Sequence, residues 1–75
     1  MKYLIKETAT FPTRTFIRYY GLHNEVVAHN GTRRPKPLTD ERIKRLGYST
    51  REGAEKNWSF VNSNYGTYEI VEFDL

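Results

Sequence analysis

The chain has 75 residues, and we expect residues 1–75 to fold as a single domain. It contains no cysteine, which excludes a disulfide framework and a cysteine-based zinc site. A domain of this size buries only about 60% of the surface of its unfolded chain, so its eleven aromatic residues must supply much of the core.

The formal net charge is only +3, but the charge is distributed unevenly. Residues 32–51 hold seven Lys and Arg against two acidic residues, a net +5, whereas residues 52–75 hold five acidic residues against one lysine, a net −4. We expect the basic stretch to attract phosphate or an acidic protein surface over about 8 Å at physiological salt. Its basic residues are Arg33, Arg34, Lys36, Arg42, Lys44, Arg45 and Arg51.

The sequence predicts no membrane span and no secretion signal. Apolar runs reach only two or three residues, and the opening Met1-Lys2-Tyr3 lacks the apolar region of a signal peptide. The expected compartment is therefore a cytoplasm.

Alternating and β-branched residues predict four strands. They cover residues 3–8, 14–20, 25–29 and 67–75, with a turn at residues 21–24 between the second and the third. The first and last strands have similar sequences, which suggests that they are neighbours in the sheet. Residues 30–38 include two prolines, which remove hydrogen-bond donors, and we interpret them as an extended, basic, solvent-facing loop.

Two helices are predicted between the third and fourth strands. Thr39 is the expected N-cap of a helix of about two turns, which Gly47 would close in a left-handed conformation. Residues 49–52 form a capping box for a second helix, whose apolar stripe is Ala54, Trp58 and Val61. The order β-β-β-α-α-β indicates an α+β fold: an antiparallel sheet of about four strands with one or two helices on one face.

Two further surfaces have features of nucleic-acid binding. Residues 39–50 resemble the first helix and turn of a helix-turn-helix motif, but the next helix has Gly53 and Lys56 where aliphatic residues are needed. Arg14 and Arg18 alternate with Phe16 and Tyr20 on one strand face, a pattern used by single-strand RNA binders. The alternative interpretation is that these aromatic residues pack beneath the second helix and the arginines lie along its edge.

We expect no enzymatic activity, no cofactor and no metal. The chain has two histidines, His23 and His29, and no cysteine, so a metal site would need several remote carboxylates. Ser49 and Thr50 are better explained as helix caps than as nucleophiles.

The small size, the absence of cysteine, the short sheet with helices and the six tyrosines resemble the profile of phage anti-CRISPR proteins. This resemblance implies a phage protein in the host cytoplasm that inhibits a nucleoprotein defence effector by steric occlusion. The implied partner is a Cas-type complex or its nucleic acid, contacted through the basic residues listed above together with Arg14 and Arg18. A direct DNA- or RNA-binding module without a defence role, and a subunit of a larger assembly, are the alternatives.

Overall fold

The computed structural model describes residues 1–31, 33–61 and 66–75, and for residues 58–61 it describes the backbone alone. The described chain forms four strands, two α-helices and one short 3-10 turn. These elements are β1 (Lys2–Thr10), β2 (Thr15–Tyr20), the turn (Leu22–Asn24), β3 (Val26–Asn30), α1 (Asp40–Leu46), α2 (Arg51–Val61) and β4 (Gly66–Phe73). The predicted α+β class and the predicted element order are confirmed.

The strands lie in the order β3-β2-β1-β4, and every neighbouring pair is antiparallel. β1 and β4 are neighbours, as their similar sequences predicted, and they pair from Lys2 opposite Phe73 to Ala9 opposite Gly66. β1 is therefore a central strand with partners on both sides. The register between β2 and β3 shifts between Tyr19 and Tyr20, which oppose Ala28 and Val26, so Val27 is an extra residue on β3 at this point.

Both faces of the sheet are covered. Leu4 and Ile5 are consecutive in β1, so their side chains point to opposite faces, yet both are fully buried. Ile5 packs with Ala54 of α2, and Leu4 packs with Ile43 of α1. We call these two sides the Ile5 face and the Leu4 face. One or two helices were expected on one face, and the structure has α2 on the Ile5 face and α1 on the Leu4 face.

The chain passes from one face to the other at Tyr48. Tyr48 pairs with Tyr3, and the two residues exchange backbone hydrogen bonds of 2.9 Å each. Tyr3 lies in β1 just before Ile5, where the pairing of β1 with β2 begins. The Tyr48 hydroxyl donates to the Gly21 carbonyl oxygen at 2.8 Å. Because this segment runs in the plane of the sheet, the helix before it and the helix after it lie on different faces.

The helix ends partly follow the predictions. Thr39 caps α1 as expected, accepting a 3.3 Å hydrogen bond from the Arg42 backbone N–H. The prediction of a left-handed Gly47 was wrong, since its φ of −71° and ψ of 150° are extended and lead the chain toward the sheet. For α2 the observed cap is Thr50 instead of Ser49, with the Thr50 Oγ1 accepting from the Gly53 N–H at 3.0 Å.

Of the predicted apolar stripe of α2, Ala54 is fully buried, as expected. The side chains of Trp58 and Val61 lie outside the described part of the chain, so the expectation that Trp58 is the centre of the core stays a prediction.

Candidate functional site

A glycine turn starts the basic loop. β3 ends at Asn30, and Gly31 follows with a φ of +86°. A Cβ added to Gly31 would lie 2.5 Å from the Thr15 carbonyl oxygen, so both the backbone conformation and the close approach require glycine here. The turn sends the chain back along the outer edge of β3.

The loop is then anchored to β3 at one residue. Lys36 and His29 exchange two backbone hydrogen bonds, of 2.9 and 3.0 Å. The expectation of a wholly solvent-facing loop is therefore wrong at Lys36 and Leu38, which are half-buried. Lys36 keeps the backbone N–H that its proline neighbours lack and pairs with His29, and Leu38 packs against the core on the Leu4 face. Arg33 and Arg34 are exposed, as predicted.

A second group of predicted cations lies on α1, which is joined to the loop. The Arg42 guanidinium donates to the Pro37 carbonyl oxygen at 3.1 Å. Lys44 and Arg45, in the last turn of the helix, are exposed. Basic residues at this end are favoured by the helix dipole.

We call the loop and helix cations together the cationic surface. It consists of Arg33, Arg34, Lys36, Arg42, Lys44 and Arg45. Arg33, Arg34, Lys44 and Arg45 form no ion pair with any residue that the structure describes. Among the described residues, none of these four has a carboxylate within 4 Å, although Asp40 and Glu41 lie one helical turn before Lys44 and Arg45.

Arg18, by contrast, has an acidic partner of its own, although its side chain is 46% exposed. It lies 3.9 Å from the carboxylate of Glu7, which is only 8% exposed and accepts hydrogen bonds from the hydroxyls of Tyr20 at 3.0 Å and Tyr68 at 2.7 Å. Burial is the main cause that raises the pKa of Tyr20, and the hydrogen bond from its hydroxyl to Glu7 adds to the effect. Arg18 serves this network and is not part of the cationic surface.

Of the predicted strand face, Phe16, Arg18 and Tyr20 do lie on one side of β2, whereas Arg14 lies outside the strand. Arg14 precedes β2, and its guanidinium lies over the Phe16 ring at 4.6 Å from the centroid. The Phe11 ring meets Phe16 edge-on at 5.4 Å and is 41% exposed. A small aromatic and cationic cluster therefore sits next to the Gly31 turn, where a Cβ would be 3.1 Å from the Phe16 ring.

Arg51 is also separate from the cationic surface. It is the first residue of α2, on the Ile5 face, and its side chain pairs with Glu55 one turn later at 3.4 Å. Of the nine predicted contact residues, six thus form the cationic surface, Arg14 lies near the start of the loop, and Arg18 and Arg51 have acidic partners of their own.

An open groove lies between the returning loop and the sheet. Its volume is about 470 Å³, and Tyr19 and Ala28, which oppose each other on the Leu4 face, line it together with Pro35, Pro37 and Leu38. The remaining lining residues are His29, Asn30 and Lys36. The groove therefore combines mainly apolar walls with the cationic surface at its edge.

The described residues contain no group of three His, Asp or Glu side chains that could hold a metal ion. Neither described helix is long and apolar enough to cross a membrane.

No family model, no curated protein and no solved structure matches this chain.

The sequence did not lead us to expect the Glu7 network or the groove. Glu7 shares a strand face with Tyr3 and Ile5, so strict alternation could have indicated that its carboxylate points into the Ile5 face. The groove had no signal in the sequence, since it exists only because the loop returns along β3.

Proposed function

We propose that this chain is a non-catalytic binding protein that docks through the cationic surface onto an anionic partner. By its profile, the partner is a nucleoprotein effector of a host defence system, which the protein inhibits by steric occlusion in the manner of anti-CRISPR proteins. The observation that carries the proposal is the set of exposed cations without ion-pair partners among the described residues, Arg33, Arg34, Lys44 and Arg45.

Like charges held together on one surface repel each other and lower the stability of the folded state. An anionic partner relieves that repulsion, and it also speeds encounter through long-range attraction. The loop is stiffened by Pro35 and Pro37 and tied to the fold at Lys36 and Arg42, so little conformational entropy is lost when it docks. These features support a docking surface over a merely solvated one.

Direct binding of single-stranded nucleic acid is the second candidate. The cluster of Phe11, Arg14 and Phe16 favours it, because aromatic rings stack on bases while arginine neutralises phosphate. Direct binding predicts that a free oligonucleotide binds and that its affinity falls steeply with salt. An inhibitor of a nucleoprotein effector binds the assembled effector much more tightly than free oligonucleotide.

The proposal is tested with two matched charge-reversal variants. The cationic-surface variant carries Arg33→Glu, Arg34→Glu and Lys44→Glu. The acidic-pole variant carries Glu69→Lys, Glu72→Lys and Asp74→Lys, in the acidic C-terminal part of the chain. Lys36 is left unchanged because it pairs with β3 and lines the groove. Target-DNA cleavage by a panel of reconstituted CRISPR effector ribonucleoproteins, and anisotropy of a labelled oligonucleotide, are measured for both variants and the wild type.

We expect the wild type and the acidic-pole variant to inhibit one effector, and the cationic-surface variant to be at least about tenfold weaker. Thermal stability of the cationic-surface variant should stay close to wild type, since exposed substitutions usually change it by no more than about 0.5 kcal/mol each. Inhibition that survives in the cationic-surface variant and is lost in the acidic-pole variant would place the partner on β4. Oligonucleotide binding without inhibition of any effector would favour the second candidate.

A further inference from the structure

We propose that the groove beside the loop holds an apolar side chain presented by an acidic segment of a partner protein. The inference rests on the proposed function, because the groove and the cationic surface would contact the same partner. It adds the class of partner, a protein and not a nucleic acid, and the place where the partner is anchored.

The shape of the groove supports a single buried anchor. Its volume of about 470 Å³ lies within the usual range for ligand pockets, about 300–1,000 Å³. One wall is the sheet, with Tyr19 and Ala28, and the other is the loop, with Pro35 and Pro37. Protein interfaces are commonly dominated by one large side chain that fills a pocket of this kind and loses contact with water.

The groove is already formed before a partner arrives. The bridge between His29 and Lys36 fixes the loop at one side, and the hydrogen bond from Arg42 to the Pro37 carbonyl fixes it at the other. Proline also restricts φ at two lining positions. A preformed pocket needs little ordering on binding, so more of the contact energy remains as affinity.

The charge around the groove selects an acidic segment. Lys36 lines the groove, and Arg33 and Arg34 precede the lining residue Pro35 in the chain. None of the lining residues described is acidic. Carboxylates that flank the anchor would pair with these cations, and Arg suits such pairing because its guanidinium can bind a carboxylate in a bidentate manner.

The lining favours an aliphatic side chain over a nucleobase. Ala28, Pro35, Pro37 and Leu38 are aliphatic, and the lining has two aromatic rings, those of Tyr19 and His29. His29 opposes Arg18, so its side chain lies on the Ile5 face, away from Tyr19. The ring of Tyr19 also meets the Phe73 ring edge-on at 6.4 Å, as part of the core on the Leu4 face. Sites that bind single-stranded nucleic acid use aromatic platforms on which successive bases stack, and the groove does not provide one.

Fluorescence anisotropy with three labelled probes tests the inference. The first is a short peptide of Asp and Glu with one central Leu, the second has Ser in place of that Leu, and the third is an oligothymidylate of equal charge. We expect the wild type to bind the Leu peptide about tenfold or more tightly than the Ser peptide, because only the leucine side chain gains from removal of apolar surface from water. The oligothymidylate should bind no more tightly than the Ser peptide.

A groove-filling variant and a matched control locate the anchor. Asn30 is exposed, lines the groove and opposes Ile17, so Asn30→Trp places a large ring in the groove. Thr67→Trp introduces the same residue at an exposed position of β4. Asn30→Trp should remove the preference for the Leu peptide and leave charge-dependent binding of the Ser peptide, whereas Thr67→Trp should behave as wild type.

Three outcomes overturn the inference. If the wild type binds the Leu and Ser peptides equally, and Arg33→Glu with Arg34→Glu weakens both, the groove has no role and the proposed function stands. If only the oligothymidylate binds, the partner is nucleic acid, and the second candidate function gains support. If Thr67→Trp removes the preference and Asn30→Trp retains it, the anchor lies on β4. The Leu and Ser peptides are compared on the wild-type protein, so this test of the inference does not depend on whether any variant folds.

Discussion

Glu7 is the residue whose environment is least expected from its type. Carboxylates are rarely buried unless they are paired, and Glu7 is paired with two tyrosine hydroxyls and lies close to Arg18. This arrangement satisfies the carboxylate and also holds Tyr20 of β2 and Tyr68 of β4 on either side of β1. These hydrogen bonds connect β2, β1 and β4 on the Ile5 face of the sheet.

We expect Glu7→Ala to lower the free energy of unfolding by about 2 kcal/mol, because removing one partner of a buried hydrogen bond costs about 1–3 kcal/mol. Glu7→Gln should cost less, since the amide oxygen can still accept one hydrogen bond. Urea unfolding measures both. Glu69→Ala is the control: its side chain is 65% exposed and pairs with Lys6 at 3.7 Å, and its loss should change stability by about 0.5 kcal/mol or less. Equal effects at Glu7 and Glu69 would contradict this account.

At the scale of elements, the strands followed from the sequence because alternation and turn residues are local signals. The connections were harder. Gly47 was predicted to end α1 in a left-handed conformation, but the pairing of Tyr48 with Tyr3 draws the chain into an extended path. Likewise, the prolines predicted a loop correctly at Arg33 and Arg34. Lys36 lies between the two prolines but keeps its own N–H, so it still pairs with His29 of the preceding strand.

The two helix caps provide a prediction at this scale. Thr39→Ala and Thr50→Ala should each lower stability by about 1 kcal/mol, because each hydroxyl oxygen accepts a hydrogen bond from a backbone N–H in the first turn. Ser49→Ala should have an effect of less than about 0.5 kcal/mol. Thermal unfolding of the three variants distinguishes the observed cap of α2 from the predicted one. A larger effect at Ser49 than at Thr50 would show that α2 begins one residue earlier in solution.

At the scale of the whole molecule, the sequence does contain a signal for burial on both faces. Consecutive apolar residues such as Leu4-Ile5 are typical of strands that are covered on both sides. Alternation of apolar and polar residues instead indicates a strand with one face exposed to solvent. The two helices alone did not indicate how they divide between the faces, since that depends on the passage at Tyr48. The groove was likewise unpredictable, because it depends on the path by which the loop returns along β3 and on Tyr19 of the neighbouring strand.

Alkaline pH should destabilise the whole domain through buried tyrosines. Burial raises the pKa of Tyr20. Burial also raises the pKa of Tyr48, although a hydrogen bond from the Asn57 side chain opposes this effect. The folded state therefore keeps protons that the unfolded state loses, so stability is unaffected below the ordinary tyrosine pKa of about 10 and falls as the pH rises above it. Unfolding free energies measured from neutral to strongly alkaline pH should show this decline.

Tyr20→Phe and Tyr48→Phe should each reduce the alkaline decline, because phenylalanine cannot ionise. Both variants lose a hydrogen bond, so their stability at neutral pH is measured first and only the change with pH is compared. A decline of the same size in the wild type and in both variants would mean that other groups cause it.

The passage of the chain through the sheet plane has a consequence for cooperativity. β1 contributes Ile5 to one hydrophobic cluster and Leu4 to the other. Tyr48, which lies between α1 and α2 in the chain, is hydrogen-bonded to β1 at Tyr3. Neither helix can detach without loosening the link to the other, so the domain should melt as one unit. A partner held on the Leu4 face would then raise the melting temperature of the entire domain, including the helix on the far side that it never touches.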